Sequence, residues 1–158
     1  MDEQDRAFEA LSQWKTTIRP IEQLNARIES ELSLRHSLCI SGYEVLYLLA
    51  SRRGKTPLTE ICKHIDRSQP RVSRLIGQLE ERGMVDRYRT ASDGRAYQLA
   101  ITRKGRRALQ ASASTLLGIL SEEDAPARHL TAERLSALWQ TLSSPATVQT
   151  EQGQAGEA

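Results

Sequence analysis

A chain of 158 residues with 22 basic and 20 acidic side chains, 39% apolar and only 4% aromatic content, suffices for one domain with its own core. Two cysteines, an acidic N-terminus and no bilayer-length apolar run argue against a disulfide scaffold, a secretory leader and a membrane span, so the expected compartment is the cytoplasm. The net charge of +2 hides an asymmetry: residues 63–107 hold twelve basic against five acidic groups, whereas residues 1–35 carry −2 and residues 108–158 carry −4.

Residues 5–34 place Ala7, Leu11, Trp14, Ile18, Ile21, Leu24, Ile28 and Leu32 at steps of three and four, which predicts a long helix with one apolar seam. Pro20 is expected to kink it or divide it in two. A lone helix gains little from propensity, so the seam needs a partner, from this chain or a second copy. Ser41-Gly-Tyr-Glu44 reads as a capping box that opens a helix through Val45, Leu46, Leu48 and Leu49, with Gly54 as its stop. Pro57 fits the first turn of a third helix, which buries Leu58, Ile61, Cys62 and Ile65.

Asp66-Arg67 makes a turn, and Ser68 then caps a helix that tolerates Pro70 in its first turn and runs to Arg82, where Gly83 ends it. Val72, Leu75, Ile76 and Leu79 form its apolar stripe, while Gln69, Arg71, Ser73, Arg74 and Gln78 occupy the opposite face. An apolar back with a front of arginines and small polar groups suits insertion into a DNA major groove.

Met84 to Arg89 and Tyr97 to Ile101 read as two short strands, with Asp93-Gly94 as the hairpin turn signal and Arg95 at its tip. Thr102 caps another long helix carrying Leu109, Ala113, Leu116 and Leu120. After a charged loop from Ser121 to His129, Leu130-Thr131 opens a last helix burying Leu135, Leu138 and Trp139. From Ser143 the composition turns polar without periodicity, which predicts a disordered tail over residues 143–158.

The sequence holds no internal repeat, no GxGxxG, no phosphate-loop lysine, no HExxH and no CxxC. No enzyme, cofactor or metal site is expected. His36 and Cys39 are close in sequence but lack the further ligands that zinc requires. Cys62 lies on the stripe of Leu58, Ile61 and Ile65 and is expected to be a small core residue.

In order and spacing the chain resembles the MarR family of transcriptional regulators over roughly residues 5–142. The residues that carry the resemblance are Leu58-Thr-Glu-Ile-Cys-Lys-His-Ile65 and Pro70-Arg-Val-Ser-Arg-Leu-Ile-Gly-Gln-Leu-Glu-Glu-Arg-Gly-Met-Val85. They continue with Arg87, Asp93-Gly-Arg-Ala96, Leu99-Ala-Ile-Thr-Arg-Lys-Gly105 and Leu130-Thr-Ala-Glu-Arg-Leu-Ser-Ala-Leu138. The resemblance implies a mainly α fold with a small β-hairpin wing, a winged helix-turn-helix inside a helical dimer. Residues 1–36 and 103–142 would be dimerisation helices, and residues 37–102 the DNA-binding domain.

By the same resemblance, Ser68, Gln69, Pro70, Arg71, Ser73 and Arg74 would face the major groove, with Arg89 adding a contact. Arg95 would enter the minor groove with Asp93 holding its guanidinium. Leu11, Trp14, Ile18, Ile21, Leu116, Leu120, Leu135, Leu138 and Trp139 would join two subunits on a pseudo-palindromic operator. Effectors commonly bind near the junction before the second helix, which makes Cys39, His36, Tyr43 and Tyr47 candidates for a small-molecule or redox site, although packing explains them as well. The implied function is a cytoplasmic repressor released by an effector. A winged helix that serves protein interaction without an operator is the alternative.

Overall fold

The computed structural model describes residues 2–90 and 93–122, together with Ser136 and Gln140, both helical. The expected final helix, with Leu135, Leu138 and Trp139, and the tail after Ser143 otherwise lie outside the described residues.

Helix α1, Glu3–His36, is one undivided element. Asp2 and Asp5 close a capping box at its start. Pro20 therefore neither ends nor splits the helix, contrary to the expected division. Its missing N–H costs the Thr16 carbonyl a partner, but Thr16 is exposed, so water can replace that bond. Ser37 ends the helix in the left-handed region at φ 52°, while the Ser37 and Leu38 amides bond back to Ser33 and Leu32.

Helix α2 is Ile40–Ser51, and its N-cap is Cys39, whose Sγ accepts from the Gly42 amide at 3.3 Å. The expected Ser41–Glu44 capping box does not form. Ser41 is buried in the first turn, where its hydroxyl accepts a 2.6 Å hydrogen bond from Arg67 Nε. Gly54 lies beyond the helix end and adopts φ 94°.

A strand the sequence did not announce follows: β1, Thr56–Pro57, so that Pro57 becomes the N-cap of α3, Leu58–His64, rather than part of its first turn. Helix α4, Gln69–Glu81, starts after Ser68 and ends at Arg82, with Gly83 at φ 69°. Strands β2, Val85–Thr90, and β3, Asp93–Ile101, pair antiparallel, and β1 joins the free edge of β3 through Thr56 opposite Leu99. Thr90 pairs with Asp93, so Asp93-Gly94 belongs to β3 and does not form the expected turn.

Helix α5, Arg103–Ser121, is capped by Thr102, whose hydroxyl accepts from the Gly105 amide and donates to the Gly83 carbonyl. The core lies among α2, α3, α4 and the sheet, where Val45, Leu46, Ile61, Val72, Ile76 and Leu99 are all buried. Each fully buried aliphatic side chain there contributes about 1.5–3 kcal/mol. From α1 only Leu32 is fully buried, and Phe8, Leu11, Trp14 and Ile21 stay exposed.

Candidate nucleic-acid interface

The surface around the start of α4 is built by that helix's two-sided composition. Val72, Leu75, Ile76 and Leu79 anchor one side in the core. The other side then presents Arg71, Arg74 and Gln78, three and four residues apart and all exposed. Ser68, Gln69 and Pro70 are exposed ahead of them, and Ser73 is half-buried. Ser68 makes no capping hydrogen bond. Pro70 has no N–H and the Arg71 and Val72 amides already bond the Ser68 carbonyl, so at this helix end the arginine side chains and not these backbone amides are what an anion can meet.

Among the described residues, neither Arg71 nor Arg74 is paired with a carboxylate. Together with Arg67, Gln78, Cys39 and Leu75 they border a shallow depression of about 260 Å³. A wider one of about 770 Å³, lined by Lys63, His64, Arg67, Ser68 and Arg71, adjoins it. Guanidinium groups without a carboxylate partner on open concave surface have the charge and donor geometry to receive phosphates or base edges.

The wing separates arginines with different roles. Arg87 lies with its Nε 3.1 Å from Glu80 and its guanidinium 5.1 Å from the Tyr97 ring centre. The Glu80 contact is out of line for a hydrogen bond and leaves Nε otherwise unsatisfied, so charge and ring face hold this side chain. Arg89, next on the same face of the strand, is exposed and carries no ion pair among the described residues. Lys55 sits 3.7 Å above the Tyr88 ring and ties the loop before β1 to the sheet. Asp93 and Arg95 fall in the hairpin end of β3; their side chains lie outside the described residues.

The four candidate effector residues do not converge. His36 Nε2 is 2.7 Å from the Thr115 hydroxyl, facing α5. Tyr43 is half-buried against the core, and Tyr47 is 60% exposed. Cys39 alone borders a cavity of about 510 Å³, bounded by the end of α1, the first turn of α2 and α4. Its other walls include Glu29, Ser33, Leu75, Gln78 and Arg82. These were not legible as a site, because they come from three helices and share no motif. Glu29 also accepts from the Ile40 amide at 3.1 Å and so completes the cap of α2. Cys62 is half-buried against the core, and burial pushes its thiol pKa up, which disfavours the thiolate.

The proposed dimer residues divide by exposure. Leu11, Trp14, Ile21 and Leu120 are exposed, and Ile18 and Leu116 half-buried. Among the described residues no group of His, Cys, Asp and Glu could hold a metal ion, and no helix is long and apolar enough to cross a membrane.

Residues 43–96, the stretch from α2 to the wing, match the family model of the MarR family. No curated protein matches the chain in sequence. Among solved structures, the chain is similar to the MarR family transcriptional regulator Sco3205 of Streptomyces coelicolor in complex with DNA. The TM-score is 0.66 at 24% identity, covering 84% of this chain and 82% of that one. AbsC, a MarR family transcriptional regulator of the same organism, gives 0.62 at 20% identity, with 90% and 92% covered. The Mycobacterium tuberculosis regulator MosR in complex with DNA gives 0.60 at 21% identity, with 80% and 90% covered.

Proposed function

We propose that this winged-helix chain, whose residues 43–96 match the MarR family model, is a regulator of that family that acts as a homodimeric, sequence-specific binder of duplex DNA in the cytoplasm. The observation that carries this reading is the unpaired pair Arg71 and Arg74 on the exposed face of α4. They lie within a segment of net charge +7, and two similar structures were solved with DNA. Ser68, Gln69, Pro70, Arg71, Ser73 and Arg74 enter the major groove. The wing follows the backbone beside it with Arg89, and Arg95 reaches the minor groove with Asp93 steadying it.

In this reading residues 37–102 bind DNA. Residues 1–36 and 103–142 pair two copies through the exposed side chains of α1 and α5, so two copies of α4 meet successive turns of a pseudo-palindromic operator. The protein is a repressor, and a small molecule or oxidant at the junction of α1, α2 and α4 releases it by favouring a different spacing of the two α4 helices. Such an effector acts only through its unequal affinity for the two spacings. The cavity beside Cys39 offers it room.

The test is selection from a random double-stranded pool with the full-length protein at stated salt. Enrichment of an inverted repeat with half-sites about ten base pairs apart supports the reading. Arg71→Ala or Arg74→Ala at a base edge relaxes that position at a cost of about 1–3 kcal/mol, whereas at a phosphate it weakens all sequences alike and lowers the salt slope by about one. Retention without enrichment, vanishing as salt rises, would sink sequence-specific binding and leave a winged helix used for protein interaction.

A further inference from the structure

Helix α4 faces the α1–α2 junction across an incompletely filled contact. Gly42, in the first turn of α2, packs against Leu75 at the middle of α4, where a Cβ on the glycine would meet the leucine methyl at 3.8 Å. Beside that contact lies the 510 Å³ cavity, so toward the end of α1 there is open space where interdigitated side chains would otherwise fix the helix. On its core side α4 is anchored by Val72, Ile76 and Leu79, so its side toward the end of α1 is the less closely packed one.

Two arginines stand at the two ends of α4. Arg67, just before α4, donates from Nε to the buried Ser41 hydroxyl at 2.6 Å. Arg82, the C-cap of α4, donates to the carbonyl of Ser37, the residue that ends α1. Among the described residues this is the one hydrogen bond between α4 with its caps and α1 with its caps. The 13 residues of α4 separate the two bonds by about 20 Å of helix. The two bonds thus tie both ends of α4 to the α1–α2 junction, in addition to its core packing.

We propose that Arg67 and Arg82 are positioning residues that set the angle of α4 against the α1–α2 scaffold, and thereby the operator spacing the dimer accepts. This rests on the DNA-binding reading above. Arg82 lies at the far end of α4 from the face that meets DNA, so it acts through the helix and not on a base. Its partner is a backbone carbonyl, which leaves the arginine side as the one to vary. For the other bond Ser41 is the better site to vary, because Arg67 itself borders the DNA-facing depression.

The experiment uses full-length wild type, Arg82→Gln, Arg82→Lys and Ser41→Ala. Each is bound to duplexes carrying the selected half-sites at centre-to-centre spacings stepped by single base pairs. Thermal stability and half-site base preference are measured on the same samples. Wild type is expected to favour one spacing over its neighbours. Arg82→Gln and Ser41→Ala are expected to cut that preference at least about fivefold, the lower end of ordinary coupling between sites. Their base preference and melting temperature stay near wild type, and Arg82→Lys, which keeps a donor, recovers part of the selectivity.

Unchanged spacing preference in both Arg82→Gln and Ser41→Ala overturns the proposal. Altered base preference does so too, because the residues would then be reading DNA. A uniform loss of affinity that tracks a fallen melting temperature overturns it as well, leaving a purely structural role. Wild type that selects no repeat at all fails one step earlier and removes the DNA reading itself.

Discussion

The winged helix and the helical ends of this chain are built on opposite terms. Between Leu38 and Ile101 the apolar stripes of α2, α3 and α4 find one another and the sheet, so the core closes within a single copy. In α1 and α5 apolar residues recur at the same steps, yet Leu11 is 49% and Leu120 55% exposed. Periodicity alone says that a face wants burial; only the fold says whether the same chain supplies the partner. A winged helix with a nearly closed core is thus carried on an arm with unspent apolar surface, which the proposed symmetric dimer would use.

The sharpest way to break that contrast is to charge the arm. Leu11→Glu with Trp14→Glu puts two carboxylates where a partner face would bury them. The variant should sediment as a monomer with its winged helix still folded, and should lose roughly 10²–10⁴-fold in operator affinity as bivalent binding is lost. A variant that still sediments as a dimer would put the interface elsewhere and remove this assignment of the exposed seam.

The second largest effect is expected at the seam between the two regions. Gly105 lies in the first turn of α5, and a Cβ there would overlap the Met84 carbonyl oxygen and approach Ile101 Cγ1 to 2.8 Å. The Thr102 amide donates to that same carbonyl at 3.0 Å, so the backbone cannot simply retreat. Alanine in a helix is worth up to about 1 kcal/mol over glycine. The overlap wins, and Gly105→Ala should cost about 1–3 kcal/mol. Melting temperature at fixed protein concentration reads it, and a neutral or raised value would contradict the close approach.

A smaller effect of the opposite sign is expected where α1 ends. Ser37 holds a left-handed conformation at φ 52° that glycine adopts without a Cβ penalty. Ser37→Gly should therefore add about 0.5–1 kcal/mol, while keeping the backbone carbonyl that receives Arg82. Thermal melting checks the gain, and unchanged spacing selectivity checks that the junction is intact.

How much of this was legible in the sequence follows the range of the interactions. The stripe of α4, the Thr102 cap and the glycine after α4 are set by neighbours within one or two turns, and all lie where the spacing put them. The start of α2 was misjudged because Ser41 looks like a cap until Arg67, 26 positions away, takes its hydroxyl and leaves the role to Cys39. Strand β1 is two residues long and has no period to detect; it exists only through its pairing with β3. Asp-Gly favours a turn, but the β2–β3 register places it one step inside the strand. Ser112 is fully buried on α5 without penalty, because its hydroxyl bonds the Ala108 carbonyl of its own helix. Arg82 read as no more than the last residue of a helix, since its partner belongs to another one.

The smallest expected effect lies within the arm and depends on pH. Arg27 of α1 grips Glu122, just past α5, through two hydrogen bonds of 2.5 and 2.7 Å. The guanidinium holds the Glu122 carboxyl below the usual carboxylate range, chiefly by hydrogen bonding, and Arg27 stays charged throughout. A carboxyl depressed in the folded state contributes stability above the ordinary glutamate range and loses it as pH falls through the depressed value. Wild type should therefore melt slightly higher than Glu122→Gln at neutral pH, and the gap should close on acidification. Both side chains are nearly half exposed, so the gap should be small and should vanish in roughly 1 M salt, where the screening length is about 3 Å. A gap that survives both acid and salt would mean that Glu122 steadies the arm by packing rather than by charge.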